Sequence, residues 1–310
     1  KYLRKLNYNK LETFNFKNDA AFLKLPKNKK LIVTNDTILE NVDFFKNDPP
    51  ESIANKILTC NLSDISSMGA YPYCYTLSLC LPKNIQDIWL KKFTKRLSLI
   101  QKKYKFFLIG GDLSKTNKIV ISSNFFGYAL QNKIISRNGA KNNEDIWVTG
   151  NIGESSIGLK IKQKKIKTNN INKKYFINKY LFPKHCSFGY QINNLASSAI
   201  DISDGFYGDL ENLLNESNLG AAIKSNLIPF SNKAKKLIRH KVINRNFLLT
   251  SGDDYELIFT ANSKKSLIIK KLAKKNNIKI TKVGKTIQQK GVYLDKIKIN
   301  TINKSFQHFS

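Results

Sequence analysis

Apolar and polar positions along the chain switch repeatedly between two periods. Tyr73 to Leu81 alternates as a half-buried strand does, whereas Ile88, Trp89, Phe93, Leu97 and Ile100 recur at helical spacing between Ile85 and Lys103. The β-branched run Lys30 to Thr37 predicts a short strand ending in polar ligand-type atoms, and Asn18 to Leu23 predicts another before it. Pro49-Pro50 opens a helix expected to reach Gly69, because proline suits the first helical turn. Phe106 to Ile109 reads as a buried strand running into Gly110-Gly111-Asp112, and Ile119 to Leu130 as a further strand. Residues 1–17 are polar and aromatic by turns and are expected to be mobile or to cover a partner.

The strand pattern restarts at Asp145 to Gly150 after a polar turn, which puts a domain boundary near residue 138 and separates domains 1–137 and 138–310. The Lys/Asn-rich piece Gln163 to Lys174 buries little and is expected to be a mobile connection between helices. From Ile192 the pattern predicts a helix before the turn at Asp201, then helices over Phe206–Asn215, Asn232–Arg239 and Lys264–Lys275. Strands are expected over Ala221–Lys224, Tyr255–Thr260, Ile278–Val283 and Val292–Ile299. Several strands follow one another with no helix between, so an α+β or mixed α/β architecture fits better than a purely parallel sheet.

Composition changes this picture in three places. The 310 residues include 53 Lys and Arg against 22 Asp and Glu, a formal net charge of +31. Such a balance suits a nucleic-acid partner, but the basic residues are dispersed and no aromatic platform is interleaved among them, which favours a solvated surface. Cys60, Cys74, Cys80 and Cys186 form no CxxC pair and the histidines are only three, so an oxygen-ligated hard cation fits better than zinc. Unpatterned cysteines fit a reducing compartment, and no apolar run nears the roughly 20 residues that span a bilayer. The expectation is a cytoplasmic protein with no membrane partner.

The candidate chemistry is acidic. Asp64 sits in the small, apolar helical run Asn61 to Ala70, and Asp19, Asp36, Asp112, Asp201 and Asp204 recur in similar settings. Two carboxylates 4 Å apart repel by roughly 4 kcal/mol at an effective dielectric near 20, so convergence of several would require divalent metal ions. Gly110-Gly111-Asp112 reads equally as a tight turn or as a place where backbone approaches a phosphate. Asp201-Ile202-Ser203-Asp204-Gly205 and Ser251-Gly252-Asp253-Asp254-Tyr255-Glu256 read as a helix cap and a turn, or as ligand-facing loops. No Walker-type loop and no protein-kinase catalytic loop is present, so a nucleotide enzyme here uses another fold.

Taken in order, Asn18-Asp19-Ala20-Ala21, Thr34-Asn35-Asp36-Thr37, Asn61 to Ala70, Gly110-Gly111-Asp112, Arg137-Asn138-Gly139-Ala140, Asp201 to Gly205 and Ser251 to Leu257 resemble thiamine-monophosphate kinase. The resemblance spans residues 18–310. It implies a two-domain fold like that of aminoimidazole-ribonucleotide synthetase, with an N-terminal α/β domain, which binds ATP and metal and dimerises, and a C-terminal α+β domain. Carried over by position, Asp19, Thr34, Asn35, Asp36, Asp64, Asp112, Asp201 and Asp204 resemble ligands of several Mg²⁺ ions. Gly111, Asp112, Arg137 and Ser203 resemble ATP contacts, and Asp43, Asp253 and Asn303 fall at substrate positions.

Departures from the family pattern cluster on the substrate side. Asp43 stands for a His, Asp253 for a Glu, and Asn303 falls near an aromatic residue whose face Phe306 could supply. Asn18 and Asn35 also depart from the usual motif residues. The implied reaction is ATP- and Mg²⁺-dependent phosphorylation of thiamine monophosphate to thiamine diphosphate by a homodimer. The acceptor phosphate is already anionic, so no general base is expected. The alternatives are another ATP-using member of the superfamily, such as selenophosphate synthetase or a purine-pathway synthetase, and a basic nucleic-acid-binding protein. No Cys precedes Cys60, which argues against the selenium enzyme, and the acidic motifs argue against the nucleic-acid binder.

Overall fold

A computed structural model describes residues 2–299. The chain divides into two compact units, one of Lys1–Ile65 with Ala70–Asn132 and one of Ser66–Gly69 with the chain from Lys133 onward.

The first unit is built on strand β1 (Lys29–Leu39), helix α1 (Pro50–Ser67), β2 (Tyr71–Leu81), α2 (Asp87–Tyr104), β3 (Phe107–Lys115) and β4 (Val120–Leu130). Its four-stranded sheet runs β1-β4-β2-β3, with β4 antiparallel to both neighbours and β2 parallel to β3. The parallel pair needs a crossover, which α2 supplies. Along β4, Ile121, Ser123, Phe125, Gly127 and Ala129 are buried while Ser122, Asn124, Phe126 and Tyr128 are not, so the period of two divides a core face from an outer face. Ile53, Ile57, Leu62, Phe93, Leu97, Phe106 and Phe125 are among the residues buried in this unit.

Three expectations fail here. Residues 3–7 and 11–16 form 3₁₀ turns held to the unit: Leu6 is buried, Gln101 Nε2 donates to Leu6 O at 2.7 Å, and Tyr8 OH donates to Ser98 O at 3.2 Å. Asn18 to Leu23 pairs with no strand and stays exposed, because Ala20 to Phe22 find no neighbouring ladder. Gly110-Gly111-Asp112 lies inside β3, since β2 continues alongside it after a register shift between Tyr75 and Thr76.

The second unit contains β5 (Asp145–Thr149), α3 (Glu154–Lys162), α4 (Asn170–Leu181), α5 (Gly189–Ile192), β6 (Ser198–Asp201), α6 (Phe206–Asn215), β7 (Gly220–Ile223), α7 (Asn232–Arg239), α8 (Arg245–Leu249), β8 (Leu257–Ala261), α9 (Ser266–Lys275), β9 (Ile280–Ile287), β10 (Gly291–Leu294) and β11 (Ile297–Lys298). Its seven-stranded sheet runs β11-β10-β7-β9-β5-β8-β6, antiparallel except for β7 and β10. One core gathers Ile146, Val148, Phe206, Leu210, Ile258 and Val283 with residues of α3, α6 and α7, and another gathers Trp147, Phe259 and Phe188 with Ile269 and Ala273 of α9. All five residues of β5 are therefore buried. Mixed sheets in both units match the architecture expected from the sequence.

The piece Gln163 to Lys174 is ordered at its end, against expectation. Asn169 accepts from Asn172 N at 2.9 Å and starts α4, whose Phe176 and Tyr180 are buried one turn apart. The strand expected over Val292–Ile299 is a hairpin, turning at Asp295 and Lys296, both with positive φ. Among the described residues, no helix is long and apolar enough to cross a membrane.

Candidate active site

In the first unit, β1 and α1 bring three of the candidate residues together. Ile32, Thr34, Asp36 and Ile38 share the β1 face turned to the core, and α1 carries Asp64. Thr34 Oγ1 donates to Asp64 Oδ2 at 2.5 Å. Asp36 Oδ2 is buried with no hydrogen-bond partner. Burial first, then the charges of Asp64 and Asp43, push the Asp36 carboxyl up to about 7.

A buried carboxylate oxygen without a donor is costly, and a cation is one way to meet it. The side-chain donors gathered here, Thr34, Asp36 and Asp64, are oxygens, a donor set that suits a hard divalent ion such as Mg²⁺. Among the described residues no group of three or more His, Cys, Asp or Glu side chains is gathered to hold a metal. Such a site fits Mg²⁺ held by one or two carboxylates together with substrate phosphates.

The other candidates of this unit lie elsewhere. Asn35, one residue from both Thr34 and Asp36, projects to the outer face, where its Nδ2 donates to Asn124 Oδ1 at 2.9 Å and Ser123 O at 3.2 Å. Asp43 Oδ2 accepts from Leu39 N at 2.8 Å and closes the turn after β1. Asp112 is exposed on β3 and accepts from Ser114 Oγ at 2.9 Å. Two strands separate β3 from β1, so roughly 14 Å lies between their axes. Gly111 pairs tightly with β2, since a Cβ there would lie 2.0 Å from Leu77 O. Asp19 is exposed in the loop before β1.

In the second unit two acidic loops are joined through their backbones. Asp201 ends β6, and the loop that follows enters α6. Asp253 N donates to Ser203 O at 2.9 Å, Tyr255 N to Ile202 O at 2.8 Å, and Ile202 N to Glu256 O at 2.7 Å. A Cβ on Gly252 would fall 1.9 Å from Ser203 O, so only glycine allows this approach. Asp201, Ser203, Asp204 and Asp253 are thereby carried on one paired segment. Arg137 is exposed in a short 3₁₀ turn, Arg137–Gly139, whose carbonyl at Arg137 accepts from Ser217 Oγ at 3.2 Å. Asn303 and Phe306 lie outside the described residues.

Sequence reasoning missed Asp209, the buried acid that holds the first of these loops. Asp209 Oδ2 accepts the backbone N–H groups of Ser203, Asp204 and Gly205, each at 3.1 Å. Burial, reinforced by Asp204 and opposed by those three donors, pushes its carboxyl up to about 7. The available signal was a carboxylate one turn after Gly205 on the apolar face made by Phe206, Leu210 and Leu213. Asp254 and Glu256 are anchored behind the second loop: Gly153 N donates to Asp254 Oδ2 at 2.6 Å and Thr149 Oγ1 to Glu256 Oε2 at 2.5 Å.

Comparison with known proteins shows the family to which the chain belongs. Residues 17–129 match the family model "AIR synthase related protein, N-terminal domain", and residues 143–297 match "AIR synthase related protein, C-terminal domain". Thiamine-monophosphate kinase of Buchnera aphidicola subsp. Schizaphis graminum is 40% identical over 298 residues, covering 94% of this chain and 91% of the relative. The crystal structure of thiamine-monophosphate kinase from Stenotrophomonas maltophilia K279a superposes with a TM-score of 0.85 at 29% identity, over 91% of this chain and 90% of that one. AaThiL complexed with AMPPCP and TMP gives 0.82 at 27% identity, over 94% and 91%. The chain belongs to the thiamine-monophosphate kinases, within the AIR synthase related proteins.

Proposed function

We propose that this chain transfers the γ-phosphoryl group of ATP to the phosphate of thiamine monophosphate, giving thiamine diphosphate and ADP. The observation that carries the reading is the likeness, along nearly the whole chain, to a relative complexed with AMPPCP and TMP. The oxygen donor set of Thr34, Asp36 and Asp64 is the feature of this chain that the reading explains.

The acceptor is a phosphate oxygen that is already anionic, so the protein has no proton to remove. Its work is to hold two polyanions in line and to neutralise their repulsion. Mg²⁺, when bound, would supply that neutralising charge on the phosphate oxygens. Asp36 and Asp64 would hold it in the first unit, with the Thr34 hydroxyl fixing the orientation of the Asp64 carboxylate. We assign Asp19, Asp112, Asp201 and Asp204 to the same task, with Asn35 contributing through its backbone oxygen because its side chain faces away. Gly111, Asp112, Arg137 and Ser203 are assigned to ATP, the exposed Arg137 guanidinium adding a fixed positive charge.

On the substrate side we assign Asp253, Asp43 and Asn303. Asp43 spends one oxygen on Leu39 N, so its role includes shaping the turn after β1. The protein is read as a homodimer formed through the outer face of the first unit's sheet, where Val33, Leu39 and Tyr71 are exposed beside Phe126 and Tyr128. We divide the labour between residues 1–137 and 138–310, and place the reaction in the cytoplasm, where ATP is available. Purified protein given ATP, Mg²⁺ and thiamine monophosphate should release ADP in step with thiamine diphosphate. ADP release that ignores thiamine monophosphate would point to another acceptor.

A further inference from the structure

The segment Ser251 to Glu256 adopts a backbone that its residues do not favour. Asp253 has φ +67° and Tyr255 φ +53°, left-handed conformations on either side of Asp254. Such conformations are disfavoured for residues with a Cβ and persist only where the surroundings enforce them. Three sets of contacts do so here. The amides of Asp253 and Tyr255 are tied to Ser203 O and Ile202 O. Tyr255 OH donates to Asp253 Oδ1 at 2.8 Å. Between them, the largely buried Asp254 side chain turns the opposite way and accepts the Gly153 N–H at 2.6 Å, with the Ser155 N–H beside it, at the first turn of α3.

We propose that Asp254 is a positioning residue: docked on the start of α3, it holds the flanking Asp253 and Tyr255 in left-handed conformations and so aims the Asp253 carboxylate at the substrate. The inference rests on the assignment of Asp253 to thiamine monophosphate made above. Asp254 would act through Asp253, its own oxygen being taken up by the Gly153 N–H. Its partner Gly153 also requires a left-handed conformation, φ +79°, and a Cβ there would lie 2.6 Å from Leu248 Cβ. Packing against Leu248 thus fixes the Gly153 backbone that presents its N–H to Asp254.

What the anchor requires is an acceptor oxygen of the right length. Burial, with the Glu256 and Glu154 carboxylates nearby, pushes the Asp254 carboxyl well above the usual carboxylate range against the pull of the two N–H groups. An amide of the same shape should therefore serve. A merely structural cap would lower stability without distinguishing one substrate from the other.

The experiment compares Asp254→Ala, Asp254→Asn and Tyr255→Phe in the full chain, by steady-state kinetics and by hydrogen exchange at the Asp253 and Tyr255 amides. Asp254→Ala should speed exchange at both amides and raise the KM for thiamine monophosphate about tenfold or more, leaving the KM for ATP within about threefold. Asp254→Asn should restore both properties. Tyr255→Phe, which removes the hydroxyl held on Asp253, should raise the KM for thiamine monophosphate with unchanged melting temperature; if the alanine variant does not fold, Asp254→Ser, too short to reach Gly153 N, takes its place in both measurements. Unchanged exchange in Asp254→Ala, or faster exchange with an unchanged KM for thiamine monophosphate, would overturn the proposal. Wild-type protein that makes no thiamine diphosphate would instead remove the functional reading, and exchange at the two amides would still decide whether Asp254 is the anchor.

Discussion

Thr34 on β1 donates its hydroxyl to Asp64 on α1 at 2.5 Å, thirty positions away in the chain, beside an Asp36 oxygen that no donor among the described residues meets. The hydroxyl fixes the Asp64 carboxylate, and the Asp36 carboxyl beside it is pushed up to about 7, first by burial and then by the Asp64 and Asp43 charges. This is the arrangement expected of a site that gathers charge only when phosphates and metal arrive.

Asp64→Asn removes one of the two carboxylates. Turnover should fall by about two orders of magnitude or more, on the scale of losing a principal electrostatic contact in a transition state. The Thr34 hydroxyl can still donate to the amide oxygen, so the melting temperature should stay near wild type. Steady-state kinetics beside a thermal melt checks both halves, and equal turnover would contradict the assignment.

Asp209→Ala strips three backbone N–H groups of their acceptor. Each buried donor left unmet costs about 1–3 kcal/mol, though water reaching part of the loop reduces the sum. The expected result is a clear fall in denaturant midpoint, with Asp209→Asn recovering a large part of it. A midpoint unchanged in the alanine variant would show that the loop does not depend on this acid.

Glu256 gives a pH dependence with a definite sign. Burial is the main cause that raises its carboxyl from 4.5 to about 7, against the opposing Thr149 hydroxyl and Lys179. Between those values the folded protein binds more protons than the unfolded chain, so stability falls as pH rises from about 4.5 to 7 and levels off above. Glu256→Gln should flatten that slope, because glutamine resembles the protonated acid and still accepts from Thr149. Denaturant unfolding across this range measures it, and an equal slope in both proteins would contradict the account.

Gly111→Ala tests a local point of the sheet. A Cβ 2.0 Å from Leu77 O forces β2 and β3 apart, and overpacking of this kind costs about 1–3 kcal/mol or more. A variant as stable as wild type would mean the two strands can shift without loss.

Much of this was legible in the chain. The helices over Phe206–Asn215 and Asn232–Arg239 stand where the apolar spacing places them, the second started by Ser231 accepting from Ala234 N. The helix expected between Ile192 and Asp201 is instead the strand β6, because four residues buried on both faces give no period that separates strand from helix. Asn18 to Leu23 looks like a strand, but strands require partners, and a sequence does not display its ladders. For the site, the residue types pointed to oxygen ligands, yet only the pairing of β1 shows that Asn35 faces away from Thr34 and Asp36. Asp209 is marked only by its place on the apolar face of its helix, and Asp254 is read with its whole loop, because a sequence does not show which backbone N–H groups an acid accepts.

The central claim is that this chain makes thiamine diphosphate. The measurement is the amount of ADP and of thiamine diphosphate formed by purified protein with ATP, Mg²⁺ and thiamine monophosphate. The account predicts equal amounts of both, abolished together when thiamine monophosphate is withheld or the metal is chelated. ATP bound and hydrolysed with no thiamine diphosphate formed would contradict it.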